Sequence, residues 1–564
     1  MLRWSSTCLI LFLASCVAER EVGAPEPEGH QRSVVYARNG MVAASHPRAV
    51  DIGLDILKSG GSAVDAAIAV NAALGVLEPH ACGVGGDLFA LVWDAKERKL
   101  FGLNAAGPAP QRASMQTIAR DADGRIPLHH AHSWSVPGCV DGWSTLHGQF
   151  GELPWGDLFA ASIQEARQGS PVPRVIASFW ETEGPRHVDT PGFLPVYFPD
   201  GRPVREGEVF RNETLATTYE QIAVGGRNAF YDGPVAEAIV TFSDANGGLL
   251  SREDLSGFHS EWVDPISTTY RGVEVFELPP NGQGLAALQM LDVLETFDVA
   301  AMGRDSVQLW HHMIEAKKLV FEDRARFYAD PSFVDVPVQA LLDEDYARAR
   351  AAQIDPSRAA LQLEAGDPVL ENGDTTYLTV VDRHGNMVSL IQSVYWEFGS
   401  GYTVGGFALQ NRGSLFSLDP THPNRLEPGK RPFHTIIPAF AMRDGEPWLS
   451  FGLMGGSMQP QGHAQVLLNL IDFGMDLQQA GDAPRFRHSG SSQPTGTRMT
   501  DGGVVKLEAS VPDYIRRGLE ALGHKVEIAD SNQFGGYQAI ARDPLTGVLS
   551  GATESRKDGV ALGY

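Results

Sequence analysis

The chain has 564 residues, of which 43% are hydrophobic, 20% are charged and 9% are aromatic. This balance is typical of a globular protein and excludes a collagenous, low-complexity or largely disordered chain. The formal net charge of −24 argues against nucleic acid as a partner, because phosphate binding needs clustered Lys and Arg.

The N-terminal residues have the pattern of an export signal, in which a positive charge precedes an apolar stretch. The sequence Leu-Ala-Ser-Cys at 13–16 resembles a bacterial lipoprotein cleavage box. We therefore interpret residues 1–15 as a lipoprotein-type signal peptide and Cys16 as a lipid anchor. The alternative is an ordinary secretory signal with an incidental cysteine. Residues 16–33, rich in Pro and Glu, are predicted to be a flexible tether. The pattern predicts a periplasmic protein that is attached to a membrane only through this anchor.

Two helices are predicted next. Apolar spacing predicts a helix over residues 47–57, and residues 62–65 have the Ser-x-x-Asp pattern of a capping box. The Ala-rich stretch that follows, up to Leu77, is small or apolar at almost every position. It is therefore predicted to be a buried helix. After a Gly-rich turn, residues 88–93 and 100–103 are predicted to be paired strands.

The character of the chain changes after its middle third. Residues 133–340 are predicted to be mostly helical with loops, and the clearest helix covers 307–328. Residues 355–374 are predicted to be a poorly structured connector. Residues 376–381 and 387–394 are β-rich, and the turn residues between them predict a hairpin.

The C-terminal part alternates strands and helices. Strand pairs interleaved with helices imply sheets that are covered by helical layers. The predicted strands lie at 436–442, at 448–452 and near Val526 and Tyr537, and the predicted helices at 461–471 and 512–522.

Metal and disulfide chemistry is not indicated. Cys82 and Cys139 are the cysteines left after the leader and Cys16, and no CxxC occurs, so each is interpreted as a small core residue. The histidines at 129–132 have no accompanying ligand cluster, and those at 311–312 lack the metalloprotease spacing. We expect neither a metal nor a cofactor.

The sequence Asp374-Thr375-Thr376 places two hydroxyls at the start of a predicted strand. A Thr hydroxyl is a poor nucleophile unless a base activates it, and a free α-amine on the same residue can be that base. Such an amine titrates near ~7.7–8.0, so part of it is neutral at neutral pH. This chemistry requires cleavage between Asp374 and Thr375. The residues alone also allow a second interpretation, in which β-branched threonines simply begin a strand.

A series of motifs, in order along the chain, resembles the γ-glutamyltransferase family. The resemblance covers nearly everything from residue 34 to 564. The motifs that carry it lie at 40–43, 60–67 and 78–86 near the start, at 373–386, 398–401, 428–432 and 455–457 in the second half, and at 551–564.

The resemblance implies an α+β protein of the N-terminal-nucleophile hydrolase type, an αββα four-layer sandwich. It also implies one precursor that cleaves itself into a large subunit, residues 34–374, and a small subunit, residues 375–564, which form one intertwined catalytic unit. By position, Thr375 attacks first the preceding carbonyl and then the acyl group of a substrate.

Three further positions match catalytic positions of the family. Ser393 falls where the family has a Thr near the amine of the nucleophile, and Gly455 and Gly456 fall on the oxyanion hole. Two glycines can bring backbone N–H groups close to a developing oxyanion. Taken by themselves, they are equally consistent with a tight turn after a strand.

The substrate-binding positions depart from those of the glutathione-cleaving members. Those members clamp a carboxylate with an Arg and a pair of Ser residues, which correspond here to Asn104, His434 and Thr435. The Asn that holds the substrate amine corresponds to Tyr395, and the Gln position falls near Arg412. Almost every contact to a γ-glutamyl zwitterion is therefore changed.

Residues 409–417 and 454–461 resemble an acylase-like branch of the family, which includes enzymes acting on glutaryl-type or other small carboxyacyl amides. The planar guanidinium of Arg412 suits a carboxylate, so we expect it to bind the free acid of such an acyl group. The alternative is a structural ion pair beside the active site.

These observations predict an autoprocessing amidohydrolase or acyltransferase that cleaves γ-glutamyl or related small carboxyacyl amide bonds through an acyl-enzyme on Thr375. Its expected partner is a small amide or peptide substrate, and no cofactor is expected. The alternative is an inactive family member that serves as a periplasmic binding or scaffold lipoprotein.

Overall fold

Two antiparallel seven-stranded sheets form the centre of the molecule, which we describe from a computed structural model for residues 32–363, 375–496 and 498–564. The predicted signal peptide, Cys16, nearly all of the tether and Asp374 lie outside these residues. Among the described residues, no helix is both long and apolar enough to cross a membrane.

The strands are short to medium in length. They are β1 Val35–Ala37, β2 Met41–Ala44, β3 Asp87–Asp94, β4 Lys99–Ala105, β5 Ser170–Pro171, β6 Val209–Phe210, β7 Glu261–Val263, β8 Ile266–Tyr270, β9 Val273–Glu277, β10 Thr376–Val381, β11 Met387–Ser393, β12 Thr403–Val404, β13 Phe407–Ala408, β14 Ala439–Arg443, β15 Glu446–Leu453, β16 Phe486–Ser489, β17 Val504–Glu508, β18 Val526–Ala529, β19 Tyr537–Arg542, β20 Leu549–Thr553 and β21 Val560–Gly563.

Along the chain, most helices lie in the segments that connect one strand to the next. They are α1 Pro47–Lys58, α2 Ala63–Leu77, α3 Cys139–Phe150, α4 Ala160–Gln168, α5 Arg174–Thr182, α6 Phe193–Tyr197, α7 Glu213–Tyr231, α8 Pro234–Ala245, α9 Arg252–Ser256, α10 Gly284–Glu295, α11 Val299–Met302, α12 Val307–Phe327, α13 Val338–Leu341, α14 Glu344–Ala351, α15 Met458–Ile471, α16 Leu477–Asp482 and α17 Asp513–Ala521.

Each sheet is built from both halves of the chain. Sheet I has the order β21-β2-β10-β11-β3-β4-β7, and sheet II has the order β1-β20-β19-β15-β14-β9-β8. Both sheets therefore combine strands from before and after residue 374. This arrangement is the intertwined unit that the family resemblance implies, while the proposed subunit boundary itself stays a prediction.

The central strands are buried on both faces. In β10, Tyr377 and Val381 pack into the cluster between the two sheets, whereas Leu378 and Val380 pack against the helices outside sheet I. Side chains alternate across a strand, so a strand between two apolar layers must be apolar on both faces. This requirement explains the continuous apolar run of β10.

Helices cover the outer face of each sheet. The outer core of sheet I includes α1, α2 and α7, and the outer core of sheet II includes α10, α12 and α15. The predicted αββα sandwich is confirmed. All fifteen residues of α2 are buried, and its predicted capping box is present at Ser62 and Asp65. Cys82 and Cys139 are both buried, as predicted for small core residues.

The region 133–340 is mostly helical with loops, as predicted, but it also contains five short strands, β5–β9, that the sequence analysis did not predict. Of these, β7 joins sheet I, and β8 and β9 join sheet II. The β8–β9 hairpin turns at Arg271 and Gly272, both with positive φ, a turn that suits the twist of paired strands. Smaller shifts occur at β14 and α15, each three residues from its predicted start.

Candidate active site

Thr375 lies at the start of β10, in the middle of sheet I. The register of the β10–β11 hairpin pairs Thr376 with Gln392, which places Thr375 beside Ser393. The Thr375 side chain is buried, and Ser393 Oγ accepts a hydrogen bond of 2.7 Å from the Tyr395 N–H. Two predicted catalytic residues thus meet because the turn of the hairpin sets the register.

Buried hydroxyls anchor the start of β10. Thr376 Oγ1 donates to Glu78 Oε2 at 2.8 Å and lies 2.9 Å from Ser45 Oγ, and Ser45 also donates to Glu78. A buried carboxylate that accepts two hydroxyl donors resists displacement, because a lost partner would leave it unsatisfied. The residue next to the nucleophile is therefore held between the ends of α2 and β2.

The glycine turn lies where β15 of sheet II meets α15. Gly455 and Gly456 have φ values of 113° and 57°, which favour glycine. Their carbonyls accept from the N–H groups of Met458 and Gln459. For their own N–H groups, no hydrogen-bond acceptor is found within the described part of the chain. Successive N–H groups of this kind form a concavity suited to an anion, as an oxyanion hole requires.

Gln459, which the sequence analysis did not single out, reaches Thr375. Its Nε2 lies 3.5 Å from Thr375 Oγ1, and its Oε1 accepts from the Ile437 N–H at 2.9 Å. The sequence offered one signal, a polar residue in the first turn of the helix that follows the glycine turn. The contact itself joins two sheets, so it depends on tertiary packing.

A second buried glutamine, Gln283, links two segments of the site by hydrogen bonds. Gln283 Nε2 donates to the carbonyls of Thr435 at 2.7 Å and Gly456 at 2.9 Å. Its Oε1 accepts from Arg324 Nη1 at 2.5 Å. The guanidinium of Arg324 therefore orients the amide of Gln283, and the amide joins the glycine turn to the segment that carries His434 and Thr435. Neither residue was found by sequence reasoning.

Arg412 is a fully buried cation, and no carboxylate of the described part of the chain forms a salt bridge with it. Its side chain is 0% exposed, its Nη1 donates to Thr435 Oγ1 at 2.8 Å, and its guanidinium stacks 4.5 Å from the centre of the Tyr395 ring. Its Nε and Nη2 have no hydrogen-bond partner among the described residues. Burial lowers the pKa of Arg412 to about 10, so the side chain stays charged at neutral pH.

Both oxygens of the nearby Asp87 carboxyl group already have hydrogen-bond partners. Asp87 Oδ1 accepts from the N–H groups of Gly107 and Gly138 and from Gln410 Nε2, and Oδ2 lies 3.1 Å from His434 Nε2. Burial raises the pKa of Asp87 to about 7, although Arg412 and these donors act to lower it. Burial also holds the pKa of His434 well below its usual value, so His434 is neutral.

Asn104 reaches the other predicted binding residues through one intermediate. Its Nδ2 donates to Asn281 Oδ1, and its Oδ1 accepts from the Ala106 N–H, both at 2.9 Å. The carbonyl of Asn281 in turn accepts from the His434 N–H at 2.8 Å. Arg412 therefore contacts both Tyr395 and Thr435 directly. Asn104 instead contacts Asn281, which is hydrogen-bonded to the backbone of His434.

Another group of buried polar side chains lies apart from these contacts. His311, Glu315 and His524 place one potential ligand atom each within 4.8 Å of one another. Lys318 Nζ donates to Glu315 Oε1 at 2.8 Å, so an ammonium already neutralises the carboxylate. We interpret the group as a buried ion pair with a histidine–histidine hydrogen bond, since the rings of His311 and His524 meet at 2.8 Å.

The comparison with known proteins settles which family has this arrangement. The sequence model described as Gamma-glutamyltranspeptidase matches residues 49–564. The chain belongs to this family. Thr375, the glycine turn and the intertwined sheets thus lie in an enzyme of the N-terminal-nucleophile hydrolase type, whose chemistry is amide hydrolysis or acyl transfer.

Relatives from two groups are similar to the chain over nearly its whole length. The glutathione hydrolase-like YwrD proenzyme of Bacillus subtilis is 36% identical, with 94% of this chain and 99% of the relative covered. The acylase ACY 1 proenzyme of a Pseudomonas strain is 34% identical, with 93% of each chain covered. The crystal structure of a cephalosporin acylase from Bacillus halodurans matches with a TM-score of 0.88 and 43% identity, and covers 96% of this chain and 98% of its own.

The pKa of Asp87 leads to a prediction about stability. An Asp in an unfolded chain titrates near ~3.9, whereas the pKa of Asp87 in the folded protein is about 7. Between these values the folded protein holds a proton that the unfolded chain has lost, so Asp87 makes the free energy of unfolding fall as the pH rises. We expect Asp87→Asn to remove this part of the decline in urea midpoints measured between about pH 5 and about pH 8.

The exposed Asp55 provides the matched control. Asp55→Asn should keep the pH dependence of the wild-type protein. Equal slopes for the wild-type protein and Asp87→Asn would mean that Asp87 is ionised across the whole range.

Proposed function

We propose that the chain is a proenzyme that cleaves its own bond between residues 374 and 375 and then uses Thr375 to cleave small amides. The observation that carries this proposal is the position of Thr375 Oγ1, 3.5 Å from the amide of Gln459, a residue in the first turn of the helix that follows Gly455 and Gly456. Acyl transfer needs a nucleophile that attacks the carbonyl carbon and hydrogen-bond donors that stabilise the resulting oxyanion, and two backbone N–H groups can be those donors. Relatives named as proenzymes support the same reading.

Two successive acyl transfers follow from this geometry. In maturation, Thr375 Oγ1 attacks the carbonyl of Asp374, the C–N bond breaks, and the hydroxyl proton passes to the nitrogen, which becomes the free α-amine. Water then hydrolyses the resulting ester, which separates the two chains and restores the Thr375 hydroxyl. In turnover, that amine takes the proton from Oγ1 as the oxygen attacks the substrate carbonyl, and then gives it to the leaving amine. The glycine N–H groups stabilise the oxyanion in both reactions. Water or an amine then accepts the acyl group.

Replacing the nucleophile should leave one chain. Wild-type protein is expected to yield a second chain that begins Thr375-Thr376, whereas Thr375→Ala should remain full length, because no hydroxyl can attack the preceding carbonyl. Intact mass and N-terminal sequencing measure this directly. Thr421→Ala, at an exposed threonine, is the control and should still be cleaved. An uncleaved, well-folded wild-type chain would instead support an inactive binding or scaffold protein.

We further propose that the acyl group of the substrate carries a free carboxylate, as γ-glutamyl and glutaryl groups do. Arg412 has two unpartnered nitrogens in a fully buried setting, and a buried donor that lacks a partner is costly. A carboxylate bound by both nitrogens would satisfy them. Support also comes from the relatives, among which are glutathione hydrolases and acylases.

Removing the charge of Arg412 should weaken binding of such substrates. Hydrogen bonds to a charged group contribute about 1.5–3 kcal/mol, so Arg412→Met should raise KM for a glutaryl amide about 10- to 100-fold. The KM for the corresponding methyl ester should change little. Arg443, an exposed arginine stacked on Trp448, is the control, and Arg443→Met should behave as wild type. An unchanged KM for the glutaryl amide in Arg412→Met would exclude this role.

We also propose that the protein is a periplasmic lipoprotein that is anchored through Cys16. This proposal rests on the pattern of the first residues. Labelling with a fatty acid in the bacterial envelope should modify the wild-type chain but not Cys16→Ser, because the thiol is the site of attachment. Cys8→Ser, which changes a cysteine inside the leader, should still be labelled. Absence of lipid on the wild-type chain would favour an ordinary secretory signal.

A further inference from the structure

Gln459 holds a fixed amide against the nucleophile. It is the second residue of α15, is 0% exposed, and its Oε1 accepts from the Ile437 N–H at 2.9 Å. A flipped amide would point its NH₂ group at that N–H and set two donors against each other. The hydrogen-bond network therefore turns Nε2 toward Thr375 Oγ1, at 3.5 Å.

The position of this donor differs from that of the oxyanion hole. The N–H groups of Gly455 and Gly456 serve the carbonyl oxygen of the group under attack, whereas Nε2 of Gln459 faces the hydroxyl oxygen of the nucleophile. That oxygen gains negative charge when it leaves an acyl carbon. A preorganised donor in a buried site lowers the energy of such a charge more than it would in water.

We propose that Gln459 is a catalytic residue that donates a hydrogen bond to Thr375 Oγ1 while this oxygen leaves the acyl-enzyme. The inference rests on the proposed function, in which Thr375 forms that acyl-enzyme. Water adds to the acyl carbon and its proton passes to the Thr375 amine. The bond between the carbon and Oγ1 then breaks, its electron pair goes to Oγ1, and the ammonium returns the proton to Oγ1. The products are a carboxylic acid and the free hydroxyl.

The contacts of Gln459 explain why its donor is aligned. Ile437 belongs to the segment that also carries Thr435, and Gln283 ties the Thr435 carbonyl to Gly456. The segment that supports Arg412 through Thr435 therefore also orients Gln459. In the resting site the contact of 3.5 Å is long, and catalytic hydrogen bonds often shorten only in the reacting complex.

The test compares Gln459→Ala and Gln459→Glu with wild type after cleavage at Thr375. The Glu side chain keeps the length of Gln and can still accept from the Ile437 N–H, but its ionised carboxylate has no hydrogen to donate to Oγ1. With a glutaryl p-nitroanilide, the burst of p-nitroaniline should stay close to wild type in both variants. The steady rate should fall on the order of 10²-fold, a loss typical of one transition-state donor. The small subunit should then accumulate the glutaryl adduct, which intact mass detects.

Slow maturation is expected in the same variants, because the ester at Thr375 in maturation also has Oγ1 as its leaving group. Hydroxylamine is a stronger nucleophile than water and should release the chain that begins at Thr375 from any uncleaved variant. A wild-type steady rate in Gln459→Glu would mean that Gln459 serves only to bind the Ile437 N–H, and it would overturn the proposal.

Gln461 provides the matched control on the same helix. Its amide donates to the carbonyls of Ser457 and His488, so Gln461→Ala removes buried hydrogen bonds without touching the nucleophile. We expect it to lower the melting temperature and to keep the wild-type ratio of burst to steady rate. If wild-type protein forms no adduct on Thr375, the proposed function fails. If it does, and the Gln459 variants match it, only the role of Gln459 fails.

Discussion

The packing of Tyr377 against Gly452 sets the distance between the two sheets beside the active site. A Cβ on Gly452 would lie 2.4 Å from Tyr377 Cε2, so only glycine allows the ring to lie flat against β15. Tyr377 lies in β10, two residues after Thr375, and Gly452 lies in β15, three residues before Gly455. This contact therefore joins the two central strands whose ends carry Thr375 and the glycine turn.

Two side-chain amides form hydrogen bonds between the segments that the packed sheets bring together at the site. Gln283 and Gln459 each use both the oxygen and the nitrogen of the amide, and each links the segment around Thr435 and Ile437 to another part of the site. In a buried site an amide without a partner is costly, so each of these links strongly favours a single arrangement. Such links fix orientation without adding charge, which leaves the electrostatics of the site to Arg412 and Asp87.

Those two charges are satisfied to different degrees. The carboxylate of Asp87 is surrounded by four donors, whereas Arg412 has one hydroxyl partner and a ring face. A zwitterionic acyl group would need an acceptor for its ammonium as well as a donor for its carboxylate. At this site Arg412 can donate to a carboxylate, whereas the oxygens of Asp87 already accept from other groups. This imbalance accompanies the changes at Asn104, His434 and Tyr395 relative to the glutathione-cleaving members.

The sequence by itself determined the features that depend on local pattern. Periodicity and turn chemistry predicted α1, α2 and the β10–β11 hairpin, and ordered motifs predicted the family and the fold. The roles of Thr375 and the glycine turn stay predictions from the same motifs. The strands β5–β9 were not predicted, because they are only two to five residues long and a short strand has a weak pattern. Only the tertiary structure decided that Gln283, Arg324 and Gln459 belong to the site, and that Arg412 has no carboxylate partner among the described residues. These facts are contacts between residues far apart in sequence, and no local spacing encodes them.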